Sequence, residues 1–341
     1  VRILLVRLSS LGDVVLSTPI ARLLRARFPD ARIDVAVSTE FADVWRANPH
    51  VERVVAVDRS LGASAMARAA APELAERYDV VVDLQRNMRS AAIARGRSDL
   101  VLRYSKYRLE KLALVWLKRR PRQVVHIVKR YIRALAPLGI GDDGEGLELW
   151  LPEETTERVY PPLHRTASLE PLLGIAPGAR HATKQWLPQH FVAVARAFQQ
   201  RGWRVALVGS DAERSLCADI ARQLDPARTL DAAGSLLVES VRLLDRCSVV
   251  VSNDSAIVHI AAARRVPVVA IYGSTVPELG FTPFRVEHRI VQADVSCRPC
   301  SHIGRKRCPR RHFACMRAIL PTTVVAAVEE LAAGTQRALG A

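Results

Sequence analysis

Along most of the chain, short runs of Val, Ile, Leu and Ala alternate with longer stretches in which apolar residues recur every three or four positions. Consecutive apolar positions suit strands covered on both faces of a parallel sheet; the wider spacing suits helices lying on it. In the N-terminal half the strand-like runs are Val1 to Leu8, Arg32 to Ser38, Val54 to Asp58 and Val80 to Leu84. Helical stretches fall between Glu40 and Asn48 and between Ser64 and Arg77. Thr18-Pro19 forms an N-cap and N1 pair, so the first helix either begins at Asp13 and kinks at Pro19 or begins at Thr18.

The C-terminal half repeats the alternation. A strand over Leu172 to Gly178 leads to a helix from Pro188 to Gln200, the strand WRVALVGS, a helix from Ala212 to Leu224, a short strand near Leu230 and a helix from Leu237 to Arg246. Val249 to Thr275 then reads as a βαβ unit: a Val-rich strand, a polar turn from Ser252 to Ser255, a helix of small residues through Ala261 to Ala263, and a second strand from Val266 to Ile271. The pattern predicts an α/β protein of two Rossmann-like, doubly wound domains. The domains are expected over 1–160 and 161–321, with a final helix over 322–341 that can pack back on the first. GIGDDGEG and the Pro-bearing stretch after it, to about Pro171, read as the connection.

Open parallel sheets bind ligands beyond the carboxyl ends of their strands. Three polar loops fall there: SSLGDV (Ser9 to Val14), APGARHATKQW (Ala176 to Trp186) and SNDSAIVH (Ser252 to His259). Asp254 or Ser255 can cap the helix that follows, whose free N–H groups and positive dipole end favour phosphate, and His259 lies one turn later. A capped helix followed by a core histidine fits the same letters. No G-x-G-x-x-G follows the first strand and no P-loop is present, which argues against both nucleotide-binding fingerprints.

Composition, 49% hydrophobic and 25% charged, is that of a globular chain, and no apolar run approaches the roughly 18 residues of a membrane span. The opening VRILLVRLS is strand-like and unlike a signal segment, so a cytoplasmic protein is expected. A net charge of +16 calls for an acidic partner. Aromatic content of 5%, with no RNP, zinc-finger or helix-turn-helix pattern, argues against nucleic acid and leaves a non-catalytic nucleic-acid-binding protein as the remote alternative. Arg86 to Arg133 holds fifteen Lys or Arg against two acids, Asp99 and Glu110. Within it RYSKYRLEKLALVWLKRRPRQ interleaves cations with Tyr, Leu and Trp, a pattern suited to an anionic membrane surface or an acidic substrate, and equally to a solvated basic face. Cys297, Cys300, Cys308 and Cys315 are spaced C-x2-C-x7-C-x6-C, which suits either a closed structural zinc site or reduced thiols. Cys217 and Cys247 read as small core residues.

Taken together, the opening SSLGD and STP, the APGA loop with K-x-W-x-P, VALVGS, AGSLL, NDS with its histidine, VAIYGST and the Cys-rich segment resemble the glycosyltransferase family 9 pattern of the ADP-heptose:lipopolysaccharide heptosyltransferases. The resemblance runs almost the whole chain. It implies a GT-B fold, two Rossmann-like domains facing across a cleft, with acceptor on the first and nucleotide sugar on the second. The implied reaction is inverting, needs no cofactor or divalent metal, and moves heptose from ADP-L-glycero-D-manno-heptose to the lipopolysaccharide inner core. The overall pattern leans towards the enzyme adding the second heptose. Another nucleotide sugar or surface-glycan acceptor is the alternative within the family.

By the same resemblance Asp13 is the base for the acceptor hydroxyl. Lys184 contacts the donor diphosphate, with backbone N–H groups from Gly178 to Thr183 cradling phosphate beside it. Asp254 and Ser255 hold sugar and phosphate, and His259 orients their loop, meets phosphate or simply packs. Glu213 or Asp211 reaches the ribose, or serves only as a helix-start acid. Ser9, Ser10, Gly12, Arg86 and Arg89 are expected on the acceptor side, where arginine suits the phosphates and carboxylates of a lipid-anchored acceptor at the inner face of the inner membrane. One departure stands out: the family usually has Gly where this chain has Ala256.

Overall fold

The computed structural model describes residues 1–74, 77–153 and 170–339. They fall into two compact units, one holding 1–107 and 125–153, the other 108–124 and 170–339. The boundary expected near residue 160, and most of the Pro-bearing connection, lie outside the described residues.

The first unit contains β1 (Arg2–Val6), α1 (Leu11–Val15), α2 (Thr18–Arg27), β2 (Arg32–Ser38), α3 (Asp43–Arg46), β3 (Arg53–Val57), α4 (Ala63–Ala70), β4 (Val80–Asp83), α5 (Met88–Ala94) and β5 (Leu100–Arg103). Its five strands are all parallel, in the order β3-β2-β1-β4-β5. The central β1 and β4 are buried almost throughout because their Val, Ile and Leu side chains are covered on both faces. Leu4, Val6, Ala36, Val55 and Val81 pack with Met66, Leu74 and Ile93 in one core. Of the two alternatives for the first helix, the one beginning at Thr18 holds: α2 starts there with Pro19 in its first turn and Ser17 at its cap, and a separate short α1 ends before it at Val15.

Next in the chain come α6 (Arg108–Trp116) and α7 (Ile127–Arg133). Leu114 on α6 is buried with Val276 and Leu279, against Phe281, so this segment belongs to the second unit although first-unit sequence surrounds it. A contiguous division at residue 160 misses that excursion, because only burial of Leu114 decides where the segment goes.

The second unit continues with β6 (Leu172–Ala176), α8 (Pro188–Gln199), β7 (Arg204–Leu207), α9 (Arg214–Ala221), β8 (Thr229–Asp231), α10 (Leu237–Leu244), β9 (Val249–Asn253), α11 (Ala256–Ala263), β10 (Val268–Tyr272), β11 (His288–Gln292), α12 (Ala314–Arg317) and α13 (Pro321–Leu339). Its six strands are parallel in the order β11-β10-β9-β6-β7-β8. Phe191 and Phe198 of α8 share a core with Ile175, Val251 and Ile271 of the sheet. Val324, Val328 and Leu331 of α13 lie at i, i+4 and i+7 and bury into that same core. The helix packs on α8 and on β9 to β11.

Candidate active site

In the first unit the candidate base stands where β1 gives way to α1. Asp13 occupies the third position of α1, and its Oδ2 accepts from the Ser10 N–H at 3.2 Å and the Ser10 hydroxyl at 3.0 Å. The opposite oxygen, Oδ1, lies 2.8 Å from Arg7 Nη2. Asp13 therefore does cap its helix, and it also faces outward, with its side chain 25% exposed against 6% for Arg7. Arg7 is itself buried and anchored. Its Nη1 donates to the Leu84 carbonyl, and its guanidinium lies 5.6 Å from the Tyr131 ring centroid. Burial alone works against the Arg7 charge, but Asp13, with Tyr131 and Tyr104 behind it, outweighs that and holds the guanidinium charged more firmly than a free arginine.

Sequence reasoning missed Arg7, although an arginine ending a Val/Leu strand just before SSLGD was a usable signal. It also missed Gln85, whose Oε1 accepts the backbone N–H groups of Leu8 at 3.1 Å and Ser9 at 3.2 Å and so ties the loops after β1 and β4. Gly12 is buried within α1. Buried Asp83 shapes the second loop by accepting the Gln85 and Arg86 N–H groups at 3.1 and 2.7 Å. Arg86 and Arg89 are exposed. Arg86 donates to the Tyr104 carbonyl at 2.8 Å, whereas Arg89 leans towards the Arg59 carbonyl at 3.4 Å, over the loop after β3. The two arginines thus diverge.

In the second unit the expected donor residues gather at the carboxyl ends of β6, β9 and β10. Lys184 Nζ lies 2.8 Å from Asp254 Oδ2, which also accepts the Thr275 hydroxyl at 2.6 Å. The ammonium has three donors, and one carboxylate oxygen takes one of them. Asn253 binds this corner together: its Oδ1 accepts the Trp186 N–H at 3.0 Å, and its Nδ2 donates to the Pro177 carbonyl at 2.7 Å. Ser255 is the N-cap residue of α11 with extended backbone, yet its hydroxyl sits 3.1 Å from Ser252 Oγ, so it makes no side-chain cap of its own. Ala256 is the first residue of α11, and His259 is buried one turn further on.

The expected backbone cradle is incomplete. The Thr183 N–H donates to the Arg305 carbonyl at 3.2 Å and the Lys184 N–H to the His181 carbonyl at 2.8 Å. Thr183 instead fastens loops: its Oγ1 accepts from Ser274 Oγ at 2.9 Å and from the Arg305 N–H at 2.8 Å. Gly178 is needed for a different reason, since a Cβ there would lie 1.7 Å from Glu213 Oε1. Glu213 also closes a capping box with Ser210, through Oε2 at 2.7 Å from the N–H and 2.8 Å from the hydroxyl. Asp211 pairs with Arg214 at 2.6 Å on the surface. Burial first, then the Lys184 and Arg180 charges, hold His181 below the usual histidine range.

Behind Thr275 stands Arg298, which no sequence pattern marked. It donates to the carbonyls of Gly273 and Ala293, and to those of Tyr272 at 3.1 Å and Thr275 at 2.9 Å. One guanidinium thus shapes the loop that carries Thr275 to Asp254. The four clustered cysteines all line one cavity of about 260 Å³. All are free thiols, and among the described residues no group of three or more His, Cys, Asp or Glu stands close enough to hold a metal ion. Cys315 is fixed on α12 in the core, while the other three ride on the preceding loop. Burial pushes the Cys315 thiol up to about 11 despite the opposing Arg298 charge. Cys217 and Cys247 are buried core residues, as expected.

Two all-parallel Rossmann-like units with a carboxylate at one sheet edge and a lysine–aspartate corner at the other describe a GT-B glycosyltransferase. Residues 67–309 match the model of glycosyltransferase family 9 (heptosyltransferase), and the chain belongs to that family. It is 28% identical over 297 residues to lipooligosaccharide heptosyltransferase 2 of Haemophilus influenzae, covering 82% of this chain and 85% of that one. With lipopolysaccharide heptosyltransferase 3 of Escherichia coli it shares 27% over 277 residues, 77% of this chain and 80% of the relative. The structure of E. coli ADP-heptose lipopolysaccharide heptosyltransferase II superposes with a TM-score of 0.73 at 23% identity, covering 98% of this chain and 100% of that one. The chain is a glycosyltransferase, and the nucleic-acid reading gives way.

Proposed function

We propose that this enzyme transfers heptose from ADP-L-glycero-D-manno-heptose to the inner core of lipopolysaccharide, with inversion and without a metal ion, as a cytoplasmic protein peripheral to the inner face of the inner membrane. Named relatives acting on lipooligosaccharide and lipopolysaccharide support the donor and acceptor class. No helix among the described residues is long and apolar enough to cross a membrane.

The observation that carries the mechanism is Asp13, an outward-facing carboxylate fixed by Arg7 and Ser10. In the proposed step one Asp13 oxygen takes the acceptor hydroxyl proton as the acceptor oxygen attacks the anomeric carbon and ADP leaves from the opposite face. A carboxylate is a weak base, so the rigidity given by Arg7 and Ser10 supplies positioning. Lys184 and the start of α11 meet the charge developing on the departing diphosphate, while Asp254 turns to sugar hydroxyls as Lys184 shifts towards phosphate. In this reading Glu213, which lies beside Gly178, takes the ribose hydroxyls, and Arg86 and Arg89 take acidic groups of the acceptor.

The test is incubation with ADP-heptose and defined core acceptors, following ADP release, product mass and the anomeric configuration of the new linkage. Inverted product formed equally with and without chelator is the expected result; a retained configuration would overturn the mechanism. Ala256 favours a second reading within the family, another nucleotide sugar, because a methyl group replaces hydrogen where the backbone meets ligand. Stronger thermal protection by UDP or GDP than by ADP would select it.

A further inference from the structure

The helix α6 is apolar on two opposite faces. Leu114 and Val115 are buried on one, whereas Leu109, Leu112 and Trp116, at i, i+3 and i+7, share the other. Those three are 79%, 52% and 72% exposed, and Leu117 just beyond them is 66% exposed. Soluble surfaces rarely leave large apolar side chains grouped in this way without a use. Segment 108–124 holds six Lys or Arg against one acid, Glu110. A second basic run, RKRCPRR from Arg305 to Arg311, flanks it in the same unit, since Arg305 and Arg310 line a cavity wall with Trp116 and Lys118. Lys118 itself is a fastener: its ammonium donates to the carbonyls of Val115, Cys297 and Pro299 at 2.9, 3.1 and 2.6 Å. That bond set holds the apolar face and the second basic run together as one surface.

We propose that this surface docks the second unit on an anionic lipid bilayer, with Leu109, Leu112, Trp116 and Leu117 entering the headgroup boundary and Arg119, Arg122, Lys306, Arg307 and Arg311 meeting lipid phosphates. The proposal rests on the reading that the acceptor is lipid-anchored. An acidic polymer would satisfy the cations and leave the leucines in water; an interfacial bilayer satisfies both. Charge draws the protein to the surface, and the apolar face sets its depth.

The test is co-sedimentation of the full chain with phosphatidylcholine vesicles, with and without phosphatidylglycerol. Binding is expected only with phosphatidylglycerol, weakening as salt is raised. Changing Trp116→Ser with Leu117→Ser should lower partitioning more than about tenfold, from the apolar area no longer buried. Arg119→Gln with Arg122→Gln should lower it roughly 25-fold, from two cations each worth about fivefold at such a surface. Brominated lipid should quench tryptophan fluorescence in the wild type and not in Trp116→Phe. Thermal protection by ADP should be unchanged in every variant, and the Trp116→Ser/Leu117→Ser pair should keep its transfer rate to a water-soluble, deacylated acceptor. Wild-type protein that ignores phosphatidylglycerol vesicles, or variants that bind as well as it does, would overturn the proposal. So would self-association through Trp116 without vesicle binding, which makes the face an interface between copies. Vesicle binding without transfer to any core acceptor would instead overturn the functional reading and leave the docking surface standing.

Discussion

Each unit sets a carboxylate against a cation at the carboxyl edge of its sheet, but the two pairs are built the opposite way round. In the first, the cation is clamped: Arg7 is buried, packed by Tyr131 and bound to the Leu84 carbonyl, while Asp13 reaches outward. In the second, the carboxylate is clamped: Asp254 is buried and held by the Thr275 hydroxyl, which Arg298 keeps in place through the Thr275 carbonyl, while Lys184 arrives from another loop. In each pair the more buried partner becomes scaffold, and the other is left for a ligand. The contrast fits the proposed roles, Asp13 as proton acceptor and Lys184 as phosphate partner.

The sharpest way to break that contrast is Asp13→Asn, which keeps the shape of the side chain and removes the base. Turnover at saturating donor should fall by about 10²–10⁴-fold while ADP binding, measured by calorimetry, stays the same. Near-normal turnover would return Asp13 to a helix-capping role. Next in size, Lys184→Met should lower kcat/KM for the donor by about 10²–10³-fold. It also leaves Asp254 without its cation, so urea denaturation should show a loss of about 1–3 kcal/mol; an unaltered ADP affinity would remove Lys184 from the diphosphate.

Thr275→Val probes the scaffold alone. Losing one hydroxyl donor to a buried carboxylate should cost about 1–3 kcal/mol in stability and raise the donor KM by less than the lysine change does. An effect on kcat with no effect on KM would mean that Thr275 acts on the reaction in some way other than by holding Asp254. The smallest expected effect concerns pH. Burial holds His181, His190 and His302, all in the second unit, below the usual histidine range. The unfolded chain therefore binds more protons than the folded one as pH falls through about 6.5, and stability should decline from pH 7 towards pH 5. Denaturation midpoints at the two ends of that window check the sign; greater stability at the acid end would contradict it.

Much of this arrangement was legible in the order of residues. Parallel strands announce themselves as unbroken Val, Ile and Leu runs because both faces are buried, so β1, β4, β6, β9 and β10 were placed within a residue or two. Two of the four edge strands were not: β5 lies in the basic region, and β11, HRIVQ, is apolar at too few positions to show the pattern. Asp13, Lys184, Asp254 and Ser255 could be named as candidates because loops at strand ends carry their polar residues in short, local motifs. Their partners Arg7, Gln85, Thr275 and Arg298 were not, since each acts on a residue brought near only by folding.

The sequence by itself determined the architecture and the candidate chemistry, because strand burial and loop polarity are local properties that periodicity records. Tertiary structure alone decided that segment 108–124 packs with the second unit and that α13 spends its apolar stripe there too. It also decided that the four closely spaced cysteines line one cavity. Those outcomes depend on which surfaces meet, and on which member of each ion pair is enclosed when they do. Burial acts between residues far apart in the chain, so no spacing of letters could have stated them.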